Sequence, residues 1–423
     1  MQYMTARKHQ IEMSCEGYAL LKEYGLCYDI SEERTGKSLT TILLFLLTTR
    51  KKLLIITKKK AIPDWELLVN KVRNPGIMVH DKIVKMGEDR EIDVINYESL
   101  HKRKIDPDML VLDEAHNFLS RYPKPGKIFL NVARVAYGQP IVYLSATPCA
   151  ESFSQLYHQL RVSAWSPFSE FKNFYDWFAV YGIPELQYVA GRQIRLHKKT
   201  KEEELKAIFS TLTYGVTRKS IGFKHEAEDR VHYVELNPYI EEYIETMRKD
   251  RVIFIGDFEI AADTVGALLH KMYQMEGGTL KADDGMRSET QKQYKHFVMG
   301  VYDKIDYIHR EWGDTEDLVI MYFYQAEEAL LKSHFKNAKV LQGTTYSEGI
   351  SVKAYKHLVI YSMDWRTSKY IQRRSRQADM DRLEPIIVHY LLTKGGVSEM
   401  VYDSVVNKRE NFNGRVFTQR YDK

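Results

Sequence analysis

Two adjacent carboxylates, Asp113 and Glu114, are the residues of this sequence best placed to do chemistry. They follow an apolar run, residues 109–112, which predicts a buried strand of a parallel sheet. Open α/β sheets bind their ligands at the carboxyl ends of such strands. An aspartate there can hold Mg2+ directly or through water, and the next glutamate can orient a water for attack on a phosphoryl group. Because the short motif Asp-Glu-Ala-His also occurs by chance on exposed loops, this chemistry needs support from other motifs.

A phosphate-binding loop is predicted upstream, where residues 31–38 read Ser-Glu-Glu-Arg-Thr-Gly-Lys-Ser. In the pattern G-x-x-x-x-G-K-[ST], backbone N–H groups and a helix N-terminus face the phosphates, the lysine reaches the outer phosphates, and the hydroxyl ligates Mg2+. Gly36, Lys37 and Ser38 fit this pattern, and the apolar run after them predicts the required helix. Ser31 stands where the pattern has its first glycine.

A third motif, Ser145-Ala146-Thr147, follows another apolar run. It ends a series of short β-rich runs that alternate with helical segments, and this alternation predicts a parallel sheet with helices on both faces. The strands predicted in the first half are residues 53–56, 77–79, 92–95, 109–112 and 141–144.

Two polar segments follow strands at the same predicted sheet edge. A lysine triplet begins at Lys58, and Tyr97 follows the strand at 92–95. A lysine-rich loop is most often simply solvated, but these segments lie where a nucleic-acid backbone would run. Lys58, Lys59 and Tyr97 are therefore candidate nucleic-acid contacts.

Length and composition limit the class of protein. A chain of 423 residues suits two domains of roughly 150 to 200 residues each, and the hydrophobic fraction of 44% is typical of globular proteins. The net charge of +5 is mild, so a polyanionic partner has to be met by a local patch. The three cysteines lack metal-ligand spacing, and no run approaches the roughly 20 apolar residues of a membrane span. We expect a cytoplasmic protein with no membrane partner, in the host cytoplasm if its source is viral.

The domain boundary is predicted near residues 220–235, with a first domain at 1–225 and a second at 226–423. Residues 151–205 of the first domain are rich in aromatic side chains. We interpret this segment as a small helical core that packs on the first domain, with a base-stacking surface as the less favoured alternative.

The second half has its own alternation of strands and helices, which predicts a second parallel α/β domain. Its predicted strands are residues 318–323, 340–341, 358–361 and 385–391, and its predicted helices are 238–251, 261–274, 368–382 and 401–408. The helix at 368–382 would place several arginines on one side. Such clusters are most often surface residues, but a basic helix beside a glycine-containing loop, here 342–351, is also what an arginine finger needs.

Taken in order, these motifs resemble the motif series of superfamily 2 helicases. Within that superfamily the chain looks most like the Swi/Snf-type ATPases, in a compact form similar to those of bacteriophages. The ERTGKS form of the phosphate loop, the junction YGVTRKSIGFK and the pair Asp364-Trp365 support that subgroup. The resemblance covers nearly the whole chain, and the matching segments are Gln10, residues 36–38, 113–116, 145–147, 347–351 and 372–376.

The resemblance implies an α/β fold with two tandem RecA-like domains, parallel sheets, and an ATP site with Mg2+ in the cleft between them. Mg2+ would be held by Ser38 and Asp113. The implied ATP-binding residues are Gln10, Arg34, Thr35, Gly36, Lys37, Ser38, Gly349 and Arg373. The implied catalytic residues are Lys37, Asp113, Glu114, Gln372 and Arg376.

The same resemblance implies how nucleotide state reaches DNA. His116, Ser145 and Thr147 would couple the two, and Thr147 and Thr344 join the lysines and Tyr97 as expected DNA contacts. One departure matters: the family usually has a second arginine where this sequence has Asp379. The finger is therefore Arg376, or else Arg373 or Arg374 in a shifted helix register.

The expected function is that of an ATP-dependent DNA helicase or translocase, a DNA-dependent ATPase in replication, recombination or repair. Its expected partner is single-stranded, duplex or branched DNA, with other replication or recombination proteins as further candidates and a monomer as the expected state. The alternatives are an RNA helicase, another P-loop NTPase, and a nucleic-acid-binding scaffold with a degenerate ATPase, for which Ser31 and Asp379 would be signs of decay. ATP turnover with and without DNA separates these classes.

Overall fold

The computed structural model describes residues 3–149, 151–189, 192–223, 227–256, 258–283, 294–343, 355–367, 370 and 387–408. The chain divides into two compact units, Met1–Phe223 and Lys224–Lys423, called unit 1 and unit 2.

Unit 1 is built on a six-stranded sheet in which each pair of neighbouring strands is parallel. In sheet order its strands are β11 (Thr213–Tyr214), β2 (Leu26–Asp29), β8 (Ile141–Leu144), β7 (Met109–Asp113), β3 (Lys52–Thr57) and β6 (Glu91–Asn96). Strand β8 lies between β2 and β7. The Ser-Ala-Thr segment after β8 is therefore flanked by the segments that follow β2 and β7, which are the phosphate loop and the acidic pair.

Helices cover both faces of this sheet. Successive residues of its central strands point to opposite faces and therefore pack against different helices. Leu53 and Ile55 pack with α1 to α3, whereas Leu54 and Ile56 pack with α4 to α8. Burial of both faces explains the unbroken apolar runs in the sequence. The helices of unit 1 are α1 (Lys8–Tyr24), α2 (Lys37–Leu47), α3 (Ile62–Arg73), α4 (His116–Leu119), α5 (Lys127–Ala136), α6 (Gln155–Arg161), α7 (Phe174–Tyr181) and α8 (Glu202–Ser210).

Two smaller β elements complete unit 1. Strands β1 (Met4–Thr5), β4 (Ile77–Val79) and β5 (Lys82–Val84) form a separate sheet, and β9 (Glu185–Val189) and β10 (Arg192–Leu196) form an antiparallel ribbon. The prediction that residues 77–79 join the main parallel sheet is wrong. His80 and Asp81 both have positive φ, 45° and 61°, and this two-residue turn pairs β4 with β5 as a hairpin.

Unit 2 is built on a five-stranded sheet in which each pair of neighbouring strands is also parallel. In sheet order its strands are β12 (Glu228–Tyr233), β20 (Ile387–Leu392), β19 (His357–Ile360), β17 (Leu318–Tyr322) and β18 (Lys339–Gln342). Two hairpins lie outside this sheet: β13 (Val252–Ile255) with β14 (Phe258–Ala261), and β15 (Thr279–Asp283) with β16 (Tyr294–Val298).

The described helices of unit 2 are α9 (Pro238–Asp250), α10 (Val265–Glu276), α11 (Asp303–Glu311), α12 (Gln325–His334) and α13 (Val397–Tyr402). A π-helical turn, Asp403–Asn407, follows α13. Hydrophobic clusters lie on both faces of the sheet, as in unit 1. The prediction of an α/β chain with two successive units, each built on a parallel sheet, is confirmed. Among the described helices, none is long and apolar enough to cross a membrane.

Candidate active site

The loop between β2 and α2 surrounds the N-terminus of a helix. Gly36 caps α2 with a left-handed backbone, φ 92°, and a Cβ atom at this position would lie 2.0 Å from Gln10 Nε2. Glycine is therefore needed here both for its backbone freedom and for space. Within the described parts of the chain, the N–H groups of Lys37 and Ser38 have no acceptor. Open amides at a helix start form a binding site for anions such as phosphate.

The Lys37 side chain folds back over this loop. Its ammonium donates to the carbonyl oxygens of Ser31, at 2.7 Å, and Glu32, at 3.1 Å. Burial raises the pKa of the Asp29 and Glu33 carboxyls, and the Lys37 charge opposes that rise. The lysine is therefore the positive centre of a site lined by carboxylates.

Helix α1 supplies two side chains that hold the loop from outside. His9 Nε2 lies 2.8 Å from the Thr35 carbonyl oxygen, and Gln10 Nε2 lies 3.5 Å from that of Gly36. The Gln10 side chain is itself fixed, because its Oε1 accepts from the Arg7 N–H at 2.9 Å. The structure thus places Gln10 against the phosphate loop. Its role in recognising adenine stays a prediction.

Ser31, the departure from the loop pattern, lies beside the segment that follows β11. Its Oγ accepts from the Val216 N–H at 3.2 Å, and a Cβ at Gly215 would lie 2.7 Å from the Ser31 nitrogen. Positive φ values in this loop occur at Arg34, 68°, and Gly36, not at Ser31. Position 31 therefore needs no glycine, and the close approach is made possible by the glycine at 215 instead.

Arg218, from the same segment, holds the acidic half of the loop. Its N–H donates to Glu32 Oε2 at 2.7 Å, and its guanidinium lies 3.5 Å from Glu32 and 4.0 Å from Glu33. Arg218 also opposes the burial that raises the pKa of Glu33. The junction sequence YGVTRKSIGFK therefore has a structural task at the loop, whichever family it belongs to.

Asp113 is the last residue of β7, and two hydrogen bonds fix the orientation of its carboxylate. Its Oδ2 accepts from Thr57 Oγ1 at 2.7 Å and from Trp65 Nε1 at 3.0 Å. Burial and the neighbouring Glu114 carboxylate raise the pKa of Asp113, and these two hydrogen bonds together with Lys37 oppose the rise. Among the described residues no donor reaches Oδ1, so this oxygen is open to a metal ion or to metal-bound water.

Glu114 has a backbone conformation that is uncommon for a residue with a side chain. Its φ is 53°, which costs roughly 1–3 kcal/mol and persists only where the surroundings enforce it. Here the Glu114 N–H donates to the Leu144 carbonyl at 2.8 Å, which fixes the residue between β7 and β8. The side chain stays about one-quarter exposed and so can meet water.

A short series of contacts connects Glu114 to the Ser-Ala-Thr segment. His116 Nδ1 lies 3.4 Å from Glu114 Oε2 and 2.6 Å from Ser145 Oγ. Ser145 Oγ in turn accepts from the Thr147 N–H at 3.0 Å. The three residues predicted to couple nucleotide to DNA thus form a series of contacts that runs from Glu114 through His116 and Ser145 to Thr147.

The candidate DNA contacts in unit 1 divide into two groups. Lys59 is exposed and Lys58 is partly exposed at the carboxyl end of β3. The expectation that the Tyr97 side chain contacts DNA is wrong, because Tyr97 is 0% exposed. Its ring stacks on Phe118 at 4.1 Å and its hydroxyl donates to the Asp113 carbonyl at 3.0 Å, so it supports the acidic pair instead.

The candidate residues predicted in unit 2 lie outside the described residues, as does Asp379. They are Thr344, Gly349, Gln372, Arg373, Arg374 and Arg376.

Four residues of the site escaped the sequence interpretation: Asp29, Thr57, Trp65 and Arg218. Asp29 is 1% exposed, accepts from the Ser31 N–H at 2.8 Å, and keeps a second oxygen without a hydrogen bond among the described residues. A carboxylate at the end of a strand directly before a phosphate loop was a usable signal. Thr57 and Trp65 had no such signal, since only the tertiary fold brings them to Asp113.

These residues fit a magnesium nucleotide. The open amides and Lys37 suit a phosphate chain, and a carboxylate with one open oxygen suits Mg2+, which keeps several waters and needs few protein ligands. Asp113 and Ser38 are the residues that could hold the ion.

Comparison with known proteins gives structural likeness only. No family model matches the sequence, and no curated protein matches it. Two similar solved structures are of the Sulfolobus solfataricus SWI2/SNF2 ATPase core. One, in complex with dsDNA, is 18% identical with 95% of this chain and 91% of that chain covered and a TM-score of 0.41. The other is 16% identical with 99% and 93% covered and a TM-score of 0.41. A likeness at this level does not identify a family or a function, so the functional argument depends on this chain's own residues.

Proposed function

We propose that this chain is a Swi/Snf-type superfamily 2 ATPase that hydrolyses ATP with Mg2+ and moves along DNA. The observation that carries the proposal is the continuous set of contacts in unit 1. These contacts connect a phosphate-type loop to an acidic pair through the Lys37 charge, and the acidic pair to Ser145 through His116. A simple phosphate-binding protein has no use for the second half of that set.

The phosphate chain of ATP would lie at the start of α2. There the amides of Lys37 and Ser38 are open, and Lys37 would exchange its two carbonyl acceptors for phosphate oxygens. Thr35, Gly36 and the exposed Arg34 complete the loop, and Gln10 would recognise the adenine from α1.

Mg2+ would be held by Ser38 and, directly or through water, by Asp113. When bound, the ion would neutralise charge on the outer phosphates. The protein's own contribution is orientation, because Thr57 and Trp65 fix one oxygen of Asp113 and leave the other free.

Glu114 would hold and orient the attacking water. Its backbone is fixed to β8, its side chain is partly exposed, and His116 contacts one carboxylate oxygen. A positioned carboxylate that accepts a proton in the transition state contributes typically 100-fold or more.

Coupling to DNA would begin at the same carboxylate. Because His116 contacts both Glu114 and Ser145, a change in what Glu114 binds alters the contacts of the Ser-Ala-Thr segment. Thr147, with Lys58 and Lys59 from the carboxyl end of β3, would present that change to a phosphate backbone.

Unit 2 would supply the remaining residues of the ATP site and of the DNA-binding surface. From the motif resemblance we assign Thr344 to the DNA track, Gly349 and Arg373 to the nucleotide, and Gln372 and Arg376 to catalysis. Because the arginine would come from a separate unit, hydrolysis would depend on closure of unit 2 on unit 1. That closure would move the DNA-binding residues of one unit relative to those of the other. We propose forked or branched DNA as the substrate and a monomer as the working form.

The test is ATP turnover measured with no nucleic acid, single-stranded DNA, duplex, fork, four-way junction and RNA. We expect turnover that rises with DNA, most with the fork or junction, and disappears in Lys37→Ala, which should also bind nucleotide weakly. Greater stimulation by RNA would make the protein an RNA helicase. DNA binding without turnover would make it a scaffold with a degenerate ATPase.

A further inference from the structure

The antiparallel ribbon of β9 and β10 is separate from both other sheets of unit 1. Five residue pairs join its strands, from Glu185 with Leu196 to Val189 with Arg192. Further bonds lengthen it toward its base, where the Ile183 N–H donates to the Lys199 carbonyl at 2.9 Å and Gly182 bridges Thr200. Nothing in the sequence interpretation predicted this element.

Both faces of the ribbon are open. Cross-strand pairing places Leu186 with Arg195 on one face and Gln187 with Ile194 on the other. Leu186 is 58% exposed, Ile194 is 45% exposed, and Arg195 is exposed. A two-stranded ribbon is only marginally stable in water by itself, and a bound partner would cover the exposed aliphatic side chain on one of its faces.

The charge of the ribbon indicates what kind of partner. Residues 185–199 contain four basic residues, Arg192, Arg195, Lys198 and Lys199, and one acidic residue, Glu185, which gives +3. Glu185 is taken by Lys199 at 3.2 Å, and among the described residues Arg195 has no salt bridge. A cationic ribbon of this kind is complementary to a polyanion.

The base of the ribbon is fixed to the segment that follows Thr147. Ser152 Oγ donates to the Lys198 carbonyl, and Ser154 Oγ donates to the His197 carbonyl at 2.6 Å. Both serines are buried, and the His197 ring packs on Phe178 at 4.8 Å. The ribbon therefore emerges from the part of unit 1 that the contacts of Glu114 reach through Ser145.

We propose that the β9–β10 ribbon binds duplex DNA, with Arg195 and Lys198 on phosphates and Leu186, which lies on the same face as Arg195, against the base pairs. A two-stranded ribbon has the dimensions that the major groove admits, and aliphatic side chains serve as wedges against base steps in DNA-bending proteins. The choice of DNA as the polyanion rests on the proposed function. The ribbon gives that function a duplex-contacting element in addition to the lysines at the strand ends.

The experiment compares two double variants with the wild type: Arg195→Glu with Lys198→Glu, and Leu186→Ser with Ile194→Ser. The matched control is Lys22→Glu, an exposed charge reversal in the last turn of α1. Duplex affinity is measured from low to high salt, with strand displacement on a fork and unfolding temperature alongside. We expect the pair of charge reversals at Arg195 and Lys198 to weaken duplex binding and to lower the salt slope by about two units, since each phosphate contact contributes about 0.9. The aliphatic pair should keep the slope and lose strand displacement, while turnover without DNA stays at the wild-type value in all variants.

Two outcomes would overturn the inference. Unchanged affinity, slope and displacement in both double variants would make the ribbon a solvated hairpin. A lower unfolding temperature with an unchanged slope would mean that the ribbon packs on protein, and sedimentation at several concentrations would show whether that protein is a second copy. The salt slope needs no hydrolysis, so an inactive wild-type ATPase would refute the proposed function while the ribbon's DNA contact is still measured.

Discussion

Unit 1 and unit 2 both bury carboxylates near a lysine and a helix N-terminus, but the two helix starts differ: a carboxylate accepts from the first N–H groups of a helix in unit 2, whereas the first N–H groups of α2 in unit 1 have no acceptor among the described residues. In unit 2, the Glu276 carboxylate accepts from the N–H groups of Val397, at 2.5 Å, and Ser398, at 3.1 Å, at the start of α13. Glu327 caps α12 in the same way, accepting from the Tyr324 N–H at 3.0 Å. The protein's own side chains thus fill these anion positions.

Lys304 is 1% exposed, and both carboxylates act on it electrostatically. Burial lowers the pKa of Lys304, and the two glutamates oppose that change. Burial also raises the pKa of Glu327 to about 7. The lysine donates to the Tyr361 carbonyl at 3.3 Å, so it is held by the fold as well as by charge.

In unit 1 the equivalent position is open. The first amides of α2 have no acceptor among the described residues, and the Lys37 ammonium donates only to carbonyl oxygens. One physical device, an anion at a helix start, therefore stabilises unit 2, and we propose that a bound phosphate takes the same position in unit 1.

The largest loss of ATP turnover should come from removing the arginine that unit 2 would contribute to catalysis. Arg376→Ala should leave ATP affinity nearly intact and reduce DNA-stimulated turnover by about 1,000-fold, because the finger acts on transition-state charge. Arg374→Ala is the control, and Arg373→Ala, at the arginine assigned to the nucleotide, tests the shifted helix register in the same single-turnover assay. Three mild and similar losses would show that these arginines are surface residues, and unit 2 would then have no assigned chemistry.

Lys304→Met tests the structural half of the comparison. We expect a loss of about 3–5 kcal/mol in the free energy of unfolding, because two buried carboxylates lose their cation. Urea unfolding measures it, and adding Glu327→Gln should restore part of the loss by removing one of those charges. A loss below about 1 kcal/mol in Lys304→Met would show that water compensates these groups and that the charges are not truly internal.

Glu114→Gln tests the chemical half. Turnover should fall by about 100-fold, while ATP affinity and the free energy of unfolding stay at wild-type values, since only the water-orienting carboxylate is lost. Rapid-quench kinetics and urea unfolding on the same preparation provide both readouts. Wild-type turnover would remove Glu114 from the mechanism.

The smallest effect is a pH dependence confined to unit 2. His389 lies between His232, at 2.8 Å, and His357, at 3.0 Å, and burial together with these neighbours lowers the pKa of His389 to about 3. An unfolded histidine has a pKa of about 6.5. The unfolded state therefore binds more protons between those values, so the stability contributed by His389 is full above pH 6.5 and decreases as pH falls toward 3.

Urea midpoints at pH 7.5, 6.0 and 5.0 measure this dependence against His389→Leu, which should show a shallower fall. If the urea midpoints of the two proteins change with pH in parallel, His389 does not have the lowered pKa that this prediction requires. Because the variant keeps every carboxylate, the difference between the curves isolates the histidine contribution.

The sequence by itself determined the elements whose signals are local. Apolar runs gave both parallel sheets because strands buried on both faces cannot alternate, and the loop ending at Gly36 was recognisable because backbone geometry demands glycine there. Asp113 and Glu114 were identifiable for a related reason. Residues that directly follow a buried strand are delivered to the ligand edge of the sheet whatever their neighbours are.

Only the tertiary structure decided what depends on residues far apart in the chain. Tyr97 looked like an edge residue, but Phe118 covers its ring, and no sequence pattern announces that contact. Ser31 could be interpreted as a sign of a degenerate phosphate loop. The structure shows instead that Gly215, far along the chain, lacks the Cβ atom that would clash with the Ser31 nitrogen. The β9–β10 ribbon is the extreme case, since its strands lack the buried-face alternation that reveals a strand. Its position depends on two buried serines whose hydrogen bonds form only once the chain has folded.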